Sequence, residues 1–169
     1  MSCRLTLDTN LLQEYWREQL KRDVVVRLLE LGDEGEVELV VTNRIASDIP
    51  HGPLADRLRE LPDLGIGEIG TVFRIGMSAI GGPDMLGSDL FGELQQAIDE
   101  ELRRRGRAEV PDWRDWDHLH GHFLKHRDVF LTWDKRLIEA GQLLAKQLPI
   151  TVMTPEEFLT SLEPQAGTT

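Results

Sequence analysis

Four aspartates stand where a fold could gather them. Asp8 follows the apolar stretch 3–7, and Asp48 comes soon after the apolar run 37–41. Asp115 opens a helical stretch, and Asp134 closes the run Val129-Phe130-Leu131-Thr132-Trp133. Three of the four lie at or shortly after the C-terminal ends of expected strands. In an open parallel sheet those ends share one crevice, which is where ligands bind. Carboxylates converging there repel one another, and a hard divalent cation with oxygen ligands relieves the repulsion. A metal held by carboxylates in a cleft acidifies a water and can hydrolyse phosphodiesters.

Other chemistry is thinly supported. Cys3 is the only cysteine, so it forms no internal disulfide, and no motif supplies it with a base. His118, His122 and His126 are spaced by four, which puts them on one helix face, and such pairs can bind zinc. The plainer reading is packing, with His118 hydrogen-bonded to a neighbouring carboxylate or backbone group. A haloacid-dehalogenase-type phosphatase also starts from a strand-end Asp. It needs a second Asp two residues on, where this chain has Asn10.

The elements that must position the acids alternate between strand and helix. Strands are expected at 3–7, 37–41, 69–75, 128–132 and 150–153. Helical spacing runs over 10–20 and 24–31, then 54–61, 90–105, 112–126 and 135–146. A helix capped by Thr42 or Asn43 would carry Asp48. Thr154-Pro155-Glu156-Glu157 reads as a cap, a Pro at the first helical position and a Glu three after the cap. This alternation implies a parallel α/β sheet. Residues 64–92 hold eight of the fifteen glycines and a turn at 81–84 but no phosphate-binding fingerprint.

Length and composition suit a single domain over 1–162, with 64–92 as a variable glycine-rich segment and 163–169 as a disordered tail. The 169 residues carry a net charge of −11, which argues against broad non-specific nucleic-acid binding, since that rests on Lys and Arg at phosphates. A nuclease remains compatible, because bound cations reverse the sign locally. Arg103-Arg104-Arg105 with Arg107 is the densest basic cluster; Lys125, Arg127, Lys135 and Arg136 are the other cations that could meet a backbone. The plain reading of the arginine cluster is a solvated helix end, where cations suit the macrodipole. No signal-peptide core or apolar stretch of spanning length is apparent, so a cytoplasmic protein with no membrane association is expected.

Three ordered motifs then become specific. Asp115-Trp116-Asp117-His118 is followed by Phe130-Leu131-Thr132-Trp133-Asp134 and by Thr154-Pro155-Glu156-Glu157-Phe158. With the opening Leu7-Asp8-Thr9-Asn10, the set resembles a PIN domain over the first 50 residues and over 112–160. The resemblance implies a three-layer α/β fold, a central parallel sheet with helices on both faces. It also implies a nuclease dependent on Mg2+ or Mn2+, usually acting on RNA. Asp8, Asp48, Asp115 and Asp134 match the acids that hold the metal and carry catalysis, and Asn10 and Thr132 match positions that orient them. Asp117 rivals Asp115, but residues two apart on a helix do not share a face. Arg104, Arg105 and Lys135 are candidates for RNA contact. His120 and His122 depart from the pattern, which has small apolar residues there. Some relatives are toxins of toxin–antitoxin pairs, which would add a small antitoxin-like partner; a homodimer is also open. The alternative is a catalytically silent PIN-like module that binds nucleic acid or protein.

Overall fold

The first strand is the central one. β1 (Cys3–Leu7) has Leu5, Thr6 and Leu7 all buried, as a parallel strand covered on both faces requires. β2 (Val37–Thr42), β3 (Gly67–Ile69), β4 (Val129–Leu131) and β5 (Val152–Met153) complete a five-stranded sheet, in the order β3-β2-β1-β4-β5. Every pairing is parallel, with Leu5 beside Leu39 on one side and Val129 on the other. The computed structural model describes residues 2–71 and 89–163. The turn expected at 81–84, the strand expected over 69–75 beyond Thr71, and the tail from 164 lie outside the described residues.

Helices cover both faces. On one, α1 (Thr9–Trp16), α2 (Arg22–Asp33), α3 (Ile45–Asp48), α4 (Pro53–Arg57) and the last helix lie over β1 and β2. Leu11, Leu12, Val25, Leu28 and Ile45 pack there with Leu5, Leu7, Leu39 and Leu131. On the other, α5 (Asp89–Arg104), α6 (Trp113–Leu124) and α7 (Lys135–Leu144) bring Leu102, Trp116, Leu119 and Leu137 to Phe130 and Ile150. Phe130 and Leu131 are neighbours in β4 and enter opposite cores, as the two-residue strand period dictates. Each such side chain, fully buried, stabilises the fold by about 1.5–3 kcal/mol.

Short polar side chains fix where helices begin. Asp112 caps α6, accepting from the Arg114 and Asp115 N–H groups at 2.7 and 3.2 Å, while Asp115 accepts from the Asp112 N–H at 2.9 Å. Thr154 and Glu157 form the same reciprocal box at the start of α8 (Pro155–Leu162), as the sequence predicts. The cap expected for α3 differs. Thr42 is the last residue of β2, Arg44 precedes the helix without a side-chain cap, and only one turn follows. The helix expected over 54–61 divides into α4 and a single tight turn at Leu58–Glu60. α1 stops at Trp16, short of the expected end at 20. α6 stops at Leu124, and His126 lies beyond it with φ +49°.

The two unexpected histidines are accommodated by packing. His122 is fully buried, and its Nδ1 meets the Thr6 hydroxyl at 2.9 Å. Burial and the Arg127 charge lower its pKa to about 3, so the ring is neutral. His120 stacks on Phe91 with ring centroids 4.0 Å apart. Gly121, between them, supplies the small position. A Cβ there would stand 2.9 Å from the Thr71 side chain and 3.2 Å from the Gly70 carbonyl oxygen.

Gly141 in α7 is a tighter case. A Cβ there would sit 2.4 Å from two carbons of Val152 on β5. Gly141→Ala gains roughly 1 kcal/mol of helix propensity. A clash that close against a strand should outweigh it, costing about 1–3 kcal/mol for overpacking. Thermal melting should show a net lower Tm, and an unchanged or raised value would mean that β5 yields freely.

Among the described residues no helix is long and apolar enough to cross a membrane.

Candidate functional site

The strand order changes direction between β1 and β4, and ligand crevices form where such a switch occurs. Asp8 leaves β1 there, with its N–H donating to the Leu131 carbonyl at 3.0 Å. Asp8 is 7% exposed, and its carboxylate receives three donors. The Thr9 N–H reaches Oδ1 at 2.8 Å, and the Asn10 amide and Thr132 hydroxyl reach Oδ2 at 2.7 and 2.5 Å. Asn10 also donates to Thr132 at 3.0 Å. Asn10 and Thr132 thus both donate to the same oxygen of Asp8. Asp8 also caps α1, and a carboxylate has lone pairs enough for both roles.

Thr9 links Asp8 to Asp48. Its hydroxyl donates to Asp48 Oδ2 at 2.5 Å, and His118 Nε2 meets the same oxygen at 2.7 Å. The other ring nitrogen of His118 contacts the Thr42 hydroxyl. A chain Thr42–His118–Asp48–Thr9–Asp8 thus runs from the end of β2 to the end of β1. Burial alone would push the Asp48 carboxyl up, but the His118 hydrogen bond and charge outweigh it and the pKa falls. For His118, burial would lower the pKa, yet Asp48 and the charges of Asp8 and Asp115 raise it.

Asp115 and Asp134 meet through Arg136. Asp134 caps α7, accepting from the Arg136 N–H at 2.8 Å, and takes the guanidinium on both oxygens. Burial would raise the Asp134 pKa, but the Arg136 contacts prevail and lower it. The same guanidinium is 3.6 Å from Asp115 Oδ2. Burial, with the Asp112 and Asp8 charges adding to it, lifts the Asp115 carboxyl to about 6. Burial likewise raises Asp8, and the Asp48 charge adds to that. Charge thus links Asp8 to Asp48 and to Asp115, and Arg136 joins Asp115 to Asp134.

Asp117 does not belong to this network in the same way. It forms a 3.0 Å ion pair with Arg44, and both side chains are almost wholly buried. This pair ties α6 to the start of α3. The chain's spacing hid that role, because Arg44 and Asp117 are 73 residues apart.

Oxygen donors of this kind suit a hard divalent cation. Asp8 and Asp115 have raised pKa values, and Asn10 Oδ1 is a buried acceptor without a hydrogen bond. The donor chemistry therefore fits Mg2+ or Mn2+. The side chains as they stand are not gathered around one point: among the described residues no three of His, Cys, Asp and Glu form a metal-holding group. Asp48 is turned to His118 and Asp134 to Arg136. His118, His122 and His126 likewise go to different partners or places and do not gather as the zinc reading expects.

The basic candidates lie at two places. Arg104 ends α5 and Arg105 follows it, and both pair with Glu101. Lys135 opens α7 beside Asp134. With Arg107, Glu109, Arg136, Ile138, Glu139 and Gln142 it lines a groove of about 330 Å³. Thr9 and Arg136 are the site residues whose roles the sequence did not reveal. Their signal was adjacency, one and two residues after Asp8 and Asp134.

No protein-family model matches the chain, and no curated protein matches it significantly. Solved structures do resemble it. FitAcB from Neisseria gonorrhoeae superposes with a TM-score of 0.50 at 14% identity, over 90% of this chain and 98% of that one. VapBC2 from Rickettsia felis, solved bound to a DNA fragment from their promoter, gives 0.49 at 11%, over 89% and 98%. The likeness to FitAcB, which contains a PIN domain, shows a PIN-like fold for this chain.

Proposed function

We propose that this chain is a metal-dependent endoribonuclease that hydrolyses RNA phosphodiester bonds. The observation that carries the reading is the network at the switch point, where Thr9 joins Asp8 to Asp48 and Arg136 stands between Asp134 and Asp115. Asp8, Asp48, Asp115 and Asp134 are the proposed ligands of Mg2+ or Mn2+. When bound, such an ion acidifies a water and stabilises charge on the phosphorus oxygens. The chain's own contribution is orientation. Thr9, Asn10 and Thr132 hold the Asp8 carboxylate, and His118 holds Asp48 against Thr9. The deciding experiment is cleavage of a mixed RNA pool with Mn2+ or Mg2+, with a chelator control. Metal-dependent fragments are the expected result.

One observation favours a second reading, a catalytically silent module that binds nucleic acid or protein. Asp48 and Asp134 are already matched by His118 and Arg136, and no metal-holding group is formed among the described residues. RNA binding without cleavage at any metal concentration would favour it.

The acidic chain needs local cations to hold RNA. Lys135 follows Asp134 in the chain and lines the groove beside Arg136, while Arg104 and Arg105 lie at the end of α5. If the arginines meet phosphates, Arg104→Ala with Arg105→Ala should weaken RNA binding. Its salt dependence should flatten by roughly 0.7 in slope per lost contact to a single strand. An unchanged slope in a filter-binding titration would leave them as the solvated end of α5, paired with Glu101. Under the same proposal the role is that of a toxin in a toxin–antitoxin pair or of a housekeeping nuclease, acting in the cytoplasm. A small antitoxin-like partner encoded beside the gene separates the two, and a homodimer is open under either role.

A further inference from the structure

A cation belonging to the chain itself already stands among the proposed ligands. Arg136 Nε lies 3.1 Å from both oxygens of Asp134, and its Nη2 is 2.5 Å from Oδ2. Nη2 is also 3.6 Å from Asp115 Oδ2, and Nη1 is 4.0 Å from Glu109 Oε2. One guanidinium therefore faces three acids, two of them proposed metal ligands. A planar fork of this kind takes both oxygens of a carboxylate and satisfies the lone pairs an incoming ion would need.

Resting on the metal-dependent reading, we infer that Arg136 is the internal counter-ion of the metal-free site, and that a divalent cation engages Asp134 and Asp115 by displacing its guanidinium. The fold permits the exchange. The Arg136 side chain is 38% exposed, so it has somewhere to go. Glu109, itself 81% exposed, stands beside it as an alternative partner. The groove lined by Arg107, Glu109, Glu139 and Gln142 begins at the same side chain. Arg136 thereby does two things. It keeps the acids from repelling one another while no metal is present, and it opposes metal binding, so occupancy depends on the metal concentration.

The test compares the full chain with Arg136→Gln by Mn2+ calorimetry, and follows Mg2+ binding to the wild type on the Arg136 Nε–Hε NMR signal. Losing a competing charge-assisted pair should tighten Mn2+ binding by roughly tenfold or more. The variant should also melt at a lower temperature in chelator and gain more on adding metal. Arg107→Gln removes one charge from the same groove, where Arg107 pairs with Glu139. Screening should hold its effect on Mn2+ affinity to less than about threefold. In the wild type, Mg2+ should move the Arg136 signal and speed its exchange with water. Equal or weaker Mn2+ binding by Arg136→Gln, where the wild type does bind, overturns the displacement and leaves the metal-dependent reading standing. An Arg136 signal unmoved at saturating Mg2+ does the same, and needs no variant to fold. Binding by neither protein overturns both readings.

Discussion

Asp115→Asn should abolish RNA cleavage in protein that still folds, whereas Asp117→Asn should leave the folded fraction active and lose stability instead. The two positions are two residues apart on α6 and face different surroundings. Asp115 turns toward Asp8 and Arg136 at the crevice. Asp117 is buried against Arg44. Asp115 would act by holding the metal that stabilises transition-state charge, and losing one such stabilising group costs about 10²–10³ in rate. Breaking a buried ion pair by removing one partner costs about 3–5 kcal/mol, because the other charge is left uncompensated. Rates should therefore be compared per folded molecule, with the folded fraction taken from melting curves. Activity surviving in Asp115→Asn and lost in Asp117→Asn would put the third acid two residues further on.

The same substitution has a pH signature in metal-free protein. The Asp115 carboxyl is raised to about 6 in the fold, above its ordinary value. Between roughly pH 4 and 6 the native state then holds a proton that the unfolded chain has released, so this group makes stability fall as pH rises through that window. Asp115→Asn should flatten that fall and raise the melting temperature at pH 7 in chelator. The asparagine oxygen can still accept the Asp112 N–H, so the cap of α6 survives. A lower melting temperature at pH 7 would mean that the Asp115 charge supports the fold through Arg136.

Mn2+ binding should be lost, by about 100-fold or more, when Asp8→Asn is combined with Asp134→Asn. Hard cations draw their affinity from the number and charge of oxygen ligands, and this pair removes two of four anionic donors from neighbouring strand ends. Calorimetry giving equal affinity for the double variant and the wild type would remove these acids from the site. Metal-free stability should behave differently here than at Asp115. Three donors point at the Asp8 carboxylate, so an amide at that position sets one of its N–H groups against a donor. That mismatch opposes the relief of repulsion, and no rise in the melting temperature is expected from Asp8→Asn alone.

Much of this molecule is written in local sequence. The apolar runs that become β1, β2 and β4 are separated by helical periods, and that alternation alone dictates a parallel sheet covered on both sides. Caps are equally local: Asp112 with Asp115 and Thr154 with Glu157 act over three residues, and the helices start where those pairs stand. The strand-end positions of Asp8 and Asp134 follow from the same runs. Tertiary structure decided what distant residues do to one another. It assigned Asp117 to Arg44 across 73 residues, His118 to Asp48 across 70, and Thr132 to Asp8 across 124. It also made room for His120 and His122, through Phe91 and Thr6. Periodicity records which face a residue lies on, because burial repeats with the turn of a helix or the pleat of a strand. A partner across the sheet leaves no such period, so the choice between a ligand and a buried ion pair, or between a free acid and one already held by Arg136, exists only once the chain has folded.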